Sequence, residues 1–269
     1  MFGVLLSTAW RRHRMLRWSL AVGLFLMGLL LAGTFQAFGA GFFPADSFED
    51  SSVMGVFDAF TGSSISILTP EGWLGFGYVH PFTLMLLVVG IVVSAATAIA
   101  REVEDGTIEF LASRPVDRRV ILGARMMAWG LGMVVLLAAA YLGTLAGIVF
   151  FEALADFSPL QALLFPLSLV PMLVLIGGVA FLASAASSTR SRVYAVTVGF
   201  TVGSYFLNFA SSLWDPLEPI APISLFHHVS PGEWTVDGVQ WGPAVIMVVL
   251  GLVLLGIAMV VVDRRDFAA

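Results

Sequence analysis

Arg101-Glu102-Val103-Glu104-Asp105-Gly106-Thr107-Ile108-Glu109-Phe110-Leu111-Ala112-Ser113-Arg114-Pro115-Val116-Asp117-Arg118-Arg119 is a polar island between two long apolar runs. It carries five acids and four arginines in a chain with only 12% charged residues. The charges alternate in sign, so much of the island can neutralise itself. Gly106-Thr107 is a helix-entry signal, and the Thr107 hydroxyl suits an N-cap. Ile108, Leu111 and Ala112 then share one helical face, while Glu109 and Ser113 share another. Arg114-Pro115 ends the short helix, because the residue before proline is driven out of the helical region. Asp117 is placed to cap the helix that follows, where its charge meets the positive end of the helix dipole. The expected product is a short amphipathic helix lying across a membrane surface, joined at both ends to long helices that would feel any push on it. A charged loop that only fixes topology is the alternative.

The rest of the chain explains why a membrane enters the argument. Its 269 residues are 59% hydrophobic with a mean hydropathy of +0.96, far more apolar surface than a soluble domain needs. There is no cysteine, which excludes a disulfide framework and thiolate metal sites. All thirteen basic residues are arginine. A standard P-loop uses a lysine to reach the nucleotide phosphates, so a lysine-free chain does not carry that motor itself. Nothing in it points to nucleic acid or to a cofactor of its own.

Hydropathy divides the chain into an all-α membrane protein of six spans. Residues 1–17 form a basic, partly apolar amphipathic arm with Trp10, Arg11, Arg12, His13, Arg14 and Arg17, suited to the headgroup layer. The spans are read as 18–40, 81–100, 120–151, 160–187, 193–213 and 243–262. The first is too long for the apolar core of a signal peptide, about 7–15 residues. The loop 41–79 is polar and rich in glycine and serine; Ser47-Phe48-Glu49-Asp50 resembles a capped helix start, with Val53, Val56, Phe57 and Phe60 at helical spacing and Gly62 as a stop. Pro166 and Pro171 are expected to kink or unwind the fourth span. The loop 214–241 is proline-rich and carries Trp214, Trp234 and Trp241 as an interfacial aromatic belt. A tail follows, 263–269.

The arginines give the orientation. Four lie in the arm, five from Arg101 to Arg125, two at Arg190 and Arg192, and two at Arg264 and Arg265, which is all thirteen. The loops 41–79, 152–159 and 214–241 contain none, yet hold eleven of the eighteen acids. The positive-inside rule then puts both termini and the polar island in the cytoplasm.

The pattern Glu102-x-x-x-Gly106-Thr107-x-Glu109-x-Leu111-x-Ser113-x-Pro115-Val116-x-Arg118 resembles the segment between the second and third spans of ABC-2 type transporter permeases. Arg264-Arg265-Asp266 resembles that family's ending, and Ile223-Ser224-Leu225-Phe226-His227-His228 its last outer loop. The resemblance implies six spans, an amphipathic arm, and a coupling helix that docks in a groove of a separately encoded ABC ATPase (nucleotide-binding) subunit. By resemblance the ATPase-coupling role falls on Glu102, Glu104, Gly106, Thr107, Glu109 and Leu111. It also implies ATP and magnesium on the partner ATPase, a second permease subunit in a homo- or heterodimer, and a multi-pass place in the cell membrane, in an exporter. Arg125 stands where the family often has lysine.

Other features are weighed against packing. Gly143-x-x-x-Gly147 and Ala195-x-x-x-Gly199-x-x-x-Gly203 allow close helix approach, within the chain or between subunits. Ser204, Tyr205 and Asn208 form a polar patch suited to interhelix hydrogen bonds. His227-His228 lacks further metal ligands. No Asp, Glu, Arg or His falls mid-span, which argues against an ion-coupled secondary transporter, the alternative reading, and against an intramembrane enzyme.

Overall fold

A computed structural model describes residues 1–39, 65–107 and 117–265. The capped stretch after Ser47 and the Ile108/Leu111/Ala112 face lie outside them. The described chain is helical, with no strand among these residues. Its helices are α1 (Phe2–Arg12), α2 (Arg14–Thr34), α3 (Pro70–Val79), α4 (Pro81–Ala96), α5 (Ala100–Glu104), α6 (Arg118–Phe150), α7 (Pro159–Ala162), α8 (Leu164–Ala186), α9 (Arg190–Leu213), α10 (Pro231–Val236) and α11 (Trp241–Arg264). Five segments are long and apolar enough to cross a membrane, and six if α3 and α4 count as one bent span.

That bend follows from two prolines. Thr69 caps α3, its hydroxyl accepting from Gly72 N–H at 3.2 Å, and Pro70 takes the first turn, where no donor is needed. Pro81 then forces His80 out of the helical region, to φ −58°, ψ 137°, and the two helices meet at 41°. The carbonyl of Gly77, left without a helical partner, accepts from Thr83 Oγ1 at 2.7 Å. Residues 70–79, read from sequence as the end of an outer loop, are therefore helical.

Proline acts differently in the fourth span. The helix breaks at Leu163, and Pro166 sits in the first turn of α8, where its missing N–H leaves the Ala162 carbonyl outside the ladder. Beyond it α8 runs continuously through Pro171. This helix is the core of the bundle. Phe165, Leu169, Met172, Ile176 and Phe181 are fully buried, and α4, α9, α10 and α11 pack around it.

Two pairs of long helices meet backbone to backbone. In α2 and α6, a Cβ on Gly143 would lie 2.0 Å from Phe25 O, and one on Gly28 2.7 Å from Ala140 O. In α8 and α11, a Cβ on Gly178 would lie 2.7 Å from Gly251 O. The Gly143/Gly147 spacing thus serves packing within the chain. Gly199 and Gly203 on α9 have nothing within 4 Å of a Cβ position.

Candidate coupling site

The polar island begins where α4 ends. Thr97 closes α4, and the chain turns before α5 through Ala98 and Ile99. The new helix has orphan N–H groups, and a buried hydroxyl from α8 takes two of them: Ser184 Oγ accepts from Ile99 N–H at 3.2 Å and Ala100 N–H at 3.3 Å. This seats α5 on the end of the central helix and turns Glu102 inward.

Glu102 is only 8% exposed. Its carboxylate accepts from Arg12 Nη1 at 2.9 Å, Arg125 Nη2 at 2.9 Å and Thr107 Oγ1 at 2.8 Å. Arg12 comes from the amino-terminal arm, Arg125 from the second turn of α6, and Thr107 from the turn beyond α5. Arg12 also donates to Thr97 O at 3.2 Å, and His13 Nε2 pairs with Thr97 Oγ1 at 2.9 Å. One carboxylate therefore ties the arm, the island and the third span together. Burial alone would raise the Glu102 carboxyl; the Thr107 hydrogen bond and the two guanidiniums outweigh it and hold the carboxyl below its ordinary range. His13 is pushed down to about 4 by burial and by Arg12, Arg17, Arg101 and Arg125, so its ring is neutral at neutral pH.

The outer side of the same short helix faces α9. Glu104 Oε2 accepts from Arg190 N–H at 2.8 Å and from Arg190 Nε at 3.0 Å, so it acts as both ion-pair partner and cap for the first turn of α9. Asp105 lies 3.1 Å from Arg101 Nε and 3.5 Å from Arg190 Nη2. The Arg190 contacts hold the Glu104 carboxyl below its ordinary range. Gly106 then takes φ +67°, a left-handed conformation that favours glycine, and Thr107 N–H returns to Glu102 O at 2.9 Å. Glu109 and Leu111 lie outside the described residues.

The island's far end is anchored too. Asp117 Oδ1 accepts from Arg119 N–H at 2.8 Å and caps α6. Arg119 pairs with Asp263, and Arg118 Nη1 donates to Arg265 O at 2.7 Å. Arg265 in turn donates to the carbonyls of Ala185 and Ser187, at 2.7 and 2.9 Å, which closes the end of α8. The carboxy-terminal arginine pattern thus has a structural use.

Of the residues singled out from sequence, Glu102, Glu104, Gly106 and Thr107 come together around one turn. Glu102 is directed inward, not outward. Arg12, Ser184 and Arg190 were missed as partners. The available signal was the confinement of every arginine to one end of the bundle, where each must find an acceptor. Elsewhere Ser204 of the polar patch tethers the 224–226 segment: its Oγ accepts from Leu225 N–H at 2.7 Å and its carbonyl from Ser224 Oγ at 2.7 Å. Tyr205 lines an apolar groove of about 490 Å³ between α4 and α9, with Leu84, Met85, Val202 and Phe206.

The model of the ABC-2 family transporter proteins matches residues 4–267. No curated protein matches the chain, and no solved structure does.

Proposed function

Because the chain belongs to the ABC-2 transporter family and is a membrane permease, we propose that it is the membrane-spanning half of an exporter driven by a separate ABC ATPase. The ATPase carries ATP and magnesium and grips the segment 101–119 from the cytoplasm. The permease works as one of a pair, in the cell membrane, with both termini on the ATPase side.

The observation that carries this reading is the wiring of the island. Through Glu102 it is bonded to the arm and to α6, and through Glu104 and Asp105 to α9. A force on this one segment therefore reaches three helices at once, which is what a handle for an external motor requires. The division of labour differs from the family carry-over: Glu102 and Glu104 hold the handle to the bundle, while Glu109 and Leu111 are assigned to the ATPase side. Pairing with a second permease is supported by α9, whose Gly199 and Gly203 face open space at a spacing suited to helix association.

The test is co-purification with a separately encoded ABC ATPase subunit, with ATP hydrolysis followed in lipid. The purified chain alone should hydrolyse no ATP. Glu109→Lys should abolish retention of the ATPase while the permease still folds. Full retention and full transport-linked hydrolysis in Glu109→Lys combined with Glu104→Lys would overturn the reading.

A further inference from the structure

Beside the Glu102 clamp lies a cavity of about 50 Å³ between α1, α2, α4 and α6. Arg12, His13, Arg17, Ser94, Arg125 and Trp129 line it. Its polar lining is made largely of donors. Arg17 Nε, Arg125 Nη1 and Trp129 Nε1, on residues that line it, are buried N–H groups with no hydrogen-bond acceptor among the described residues. Buried donors are satisfied in all but a few cases, so three around one cavity mark a place for an acceptor.

The charge balance points the same way. Arg12 and Arg125 share the single carboxylate of Glu102. Arg17 is 7% exposed and has no ion pair among the described residues. Its guanidinium stacks 3.3 Å above the Trp10 ring, and its Nη2 donates to Trp10 O at 3.1 Å. Three guanidiniums thus stand against one carboxylate, and their field adds to burial in holding His13 neutral. A water needs roughly 10–15 Å³ of such space, so this cavity takes a group of several atoms. Water would also leave the charge uncompensated.

We propose that this cavity binds a phosphate group, held by the free edges of Arg17 and Arg125 with the Trp129 N–H. Arginine forks match phosphate oxygens in geometry and charge. The cavity opens beside the arm, at the arginine-rich end of the bundle, where basic pockets between membrane helices meet lipid headgroups. The same chemistry suits free inorganic phosphate. Occupancy would brace the arm against α6, behind the clamp that seats the island.

The full chain in mild detergent is titrated calorimetrically with three probes: sodium phosphate at constant ionic strength, dihexanoyl phosphatidic acid, and dihexanoylglycerol. Saturable binding of phosphate identifies a soluble anion; saturable binding of the phosphatidic acid alone identifies a headgroup. For whichever binds, Arg17→Gln weakens affinity by about tenfold, Trp129→Phe weakens it severalfold, and Arg14→Gln, an exposed arginine outside the cavity, leaves it unchanged. Trp129→Phe keeps the ring and carries the test if Arg17→Gln fails to fold. The proposal is overturned if neither phosphate probe binds, if dihexanoylglycerol binds as tightly as the phosphatidic acid, or if Trp129→Phe and every folded Arg17→Gln sample bind like the wild type.

Discussion

Replacing Glu102 separates a clamp from a docking residue. The Glu102 and Arg125 side chains are 11% and 15% exposed, and Arg12 is 33% exposed. Removing the carboxylate leaves Arg125 as a buried cation without its counter-charge, which costs about 3–5 kcal/mol. Arg12 keeps Thr97 O and reaches water, so its share is below about 1 kcal/mol. Glu102→Ala should therefore lower the apparent melting temperature in detergent by roughly 10 °C, taking a few degrees per kcal/mol. Glu102→Gln retains the Thr107 contact and should lose about half as much. Neutralising both partners, Glu102→Gln with Arg125→Gln, should be less damaging than Glu102→Gln alone, because no orphaned charge is left. The pH dependence has a definite sign. The folded carboxyl lies below its ordinary value, so its contribution is complete above the ordinary carboxylate range and is lost as pH falls through the depressed value. The gap between wild type and Glu102→Gln should thus persist from neutral pH into that range and close beneath it. An unchanged melting temperature in Glu102→Gln, with the ATPase nonetheless released, would refute the clamp and put the carboxylate on the docking surface.

His13 is lowered from 6.5 to about 4, so the unfolded chain binds its proton first and stability falls as pH drops from 6.5 towards 4; a melting series on His13→Gln should show a shallower acid slope over that window. Gly143→Ala should cost about 1–3 kcal/mol in thermal unfolding, because its Cβ would meet Phe25 O at 2.0 Å. Gly199→Leu should leave single-chain stability near wild type, since nothing lies within 4 Å, while cross-linking yield between permease copies falls. Glu104→Lys should preserve the melting temperature far better than Glu102→Ala, yet reduce ATPase retention in pull-down.

The all-helical membrane architecture was legible because hydropathy and arginine placement act over whole segments. The bend at His80 was not. Gly72, Gly75 and Gly77 depress helix propensity in α3, and the stretch was read as loop even though Thr69-Pro70 is a helix start. The break near Pro166 was expected, whereas Pro171 leaves α8 unbroken because neighbouring helices pack around it. At the island, the sequence reads Gly106-Thr107 as a helix entry; the structure shows the end of α5 there, with Gly106 left-handed and Thr107 Oγ1 donating to Glu102. The inward direction of Glu102 was not legible, because it depends on partners 90 residues before it and 23 after. Spacing along one helix says which side chains share a face; it does not say which face a bundle will cover. The open Gly199/Gly203 edge shows the same limit, since it has the spacing of the buried Gly143/Gly147 pair but the opposite exposure.

The two glycine contacts have a kinematic consequence. Where α2 meets α6 and α8 meets α11, backbone atoms leave less room than one methyl group, so neither pair can slide or roll without separating. Each moves as a single stiff plank. The glycines of α9 make no such engagement, and its amino-terminal end is held by polar contacts from Glu104 and Asp105. Ion pairs re-form after a few ångströms of travel; interlocked backbones do not. The degree of freedom in this permease therefore belongs to α9, which can pivot against two planks while they keep their shape.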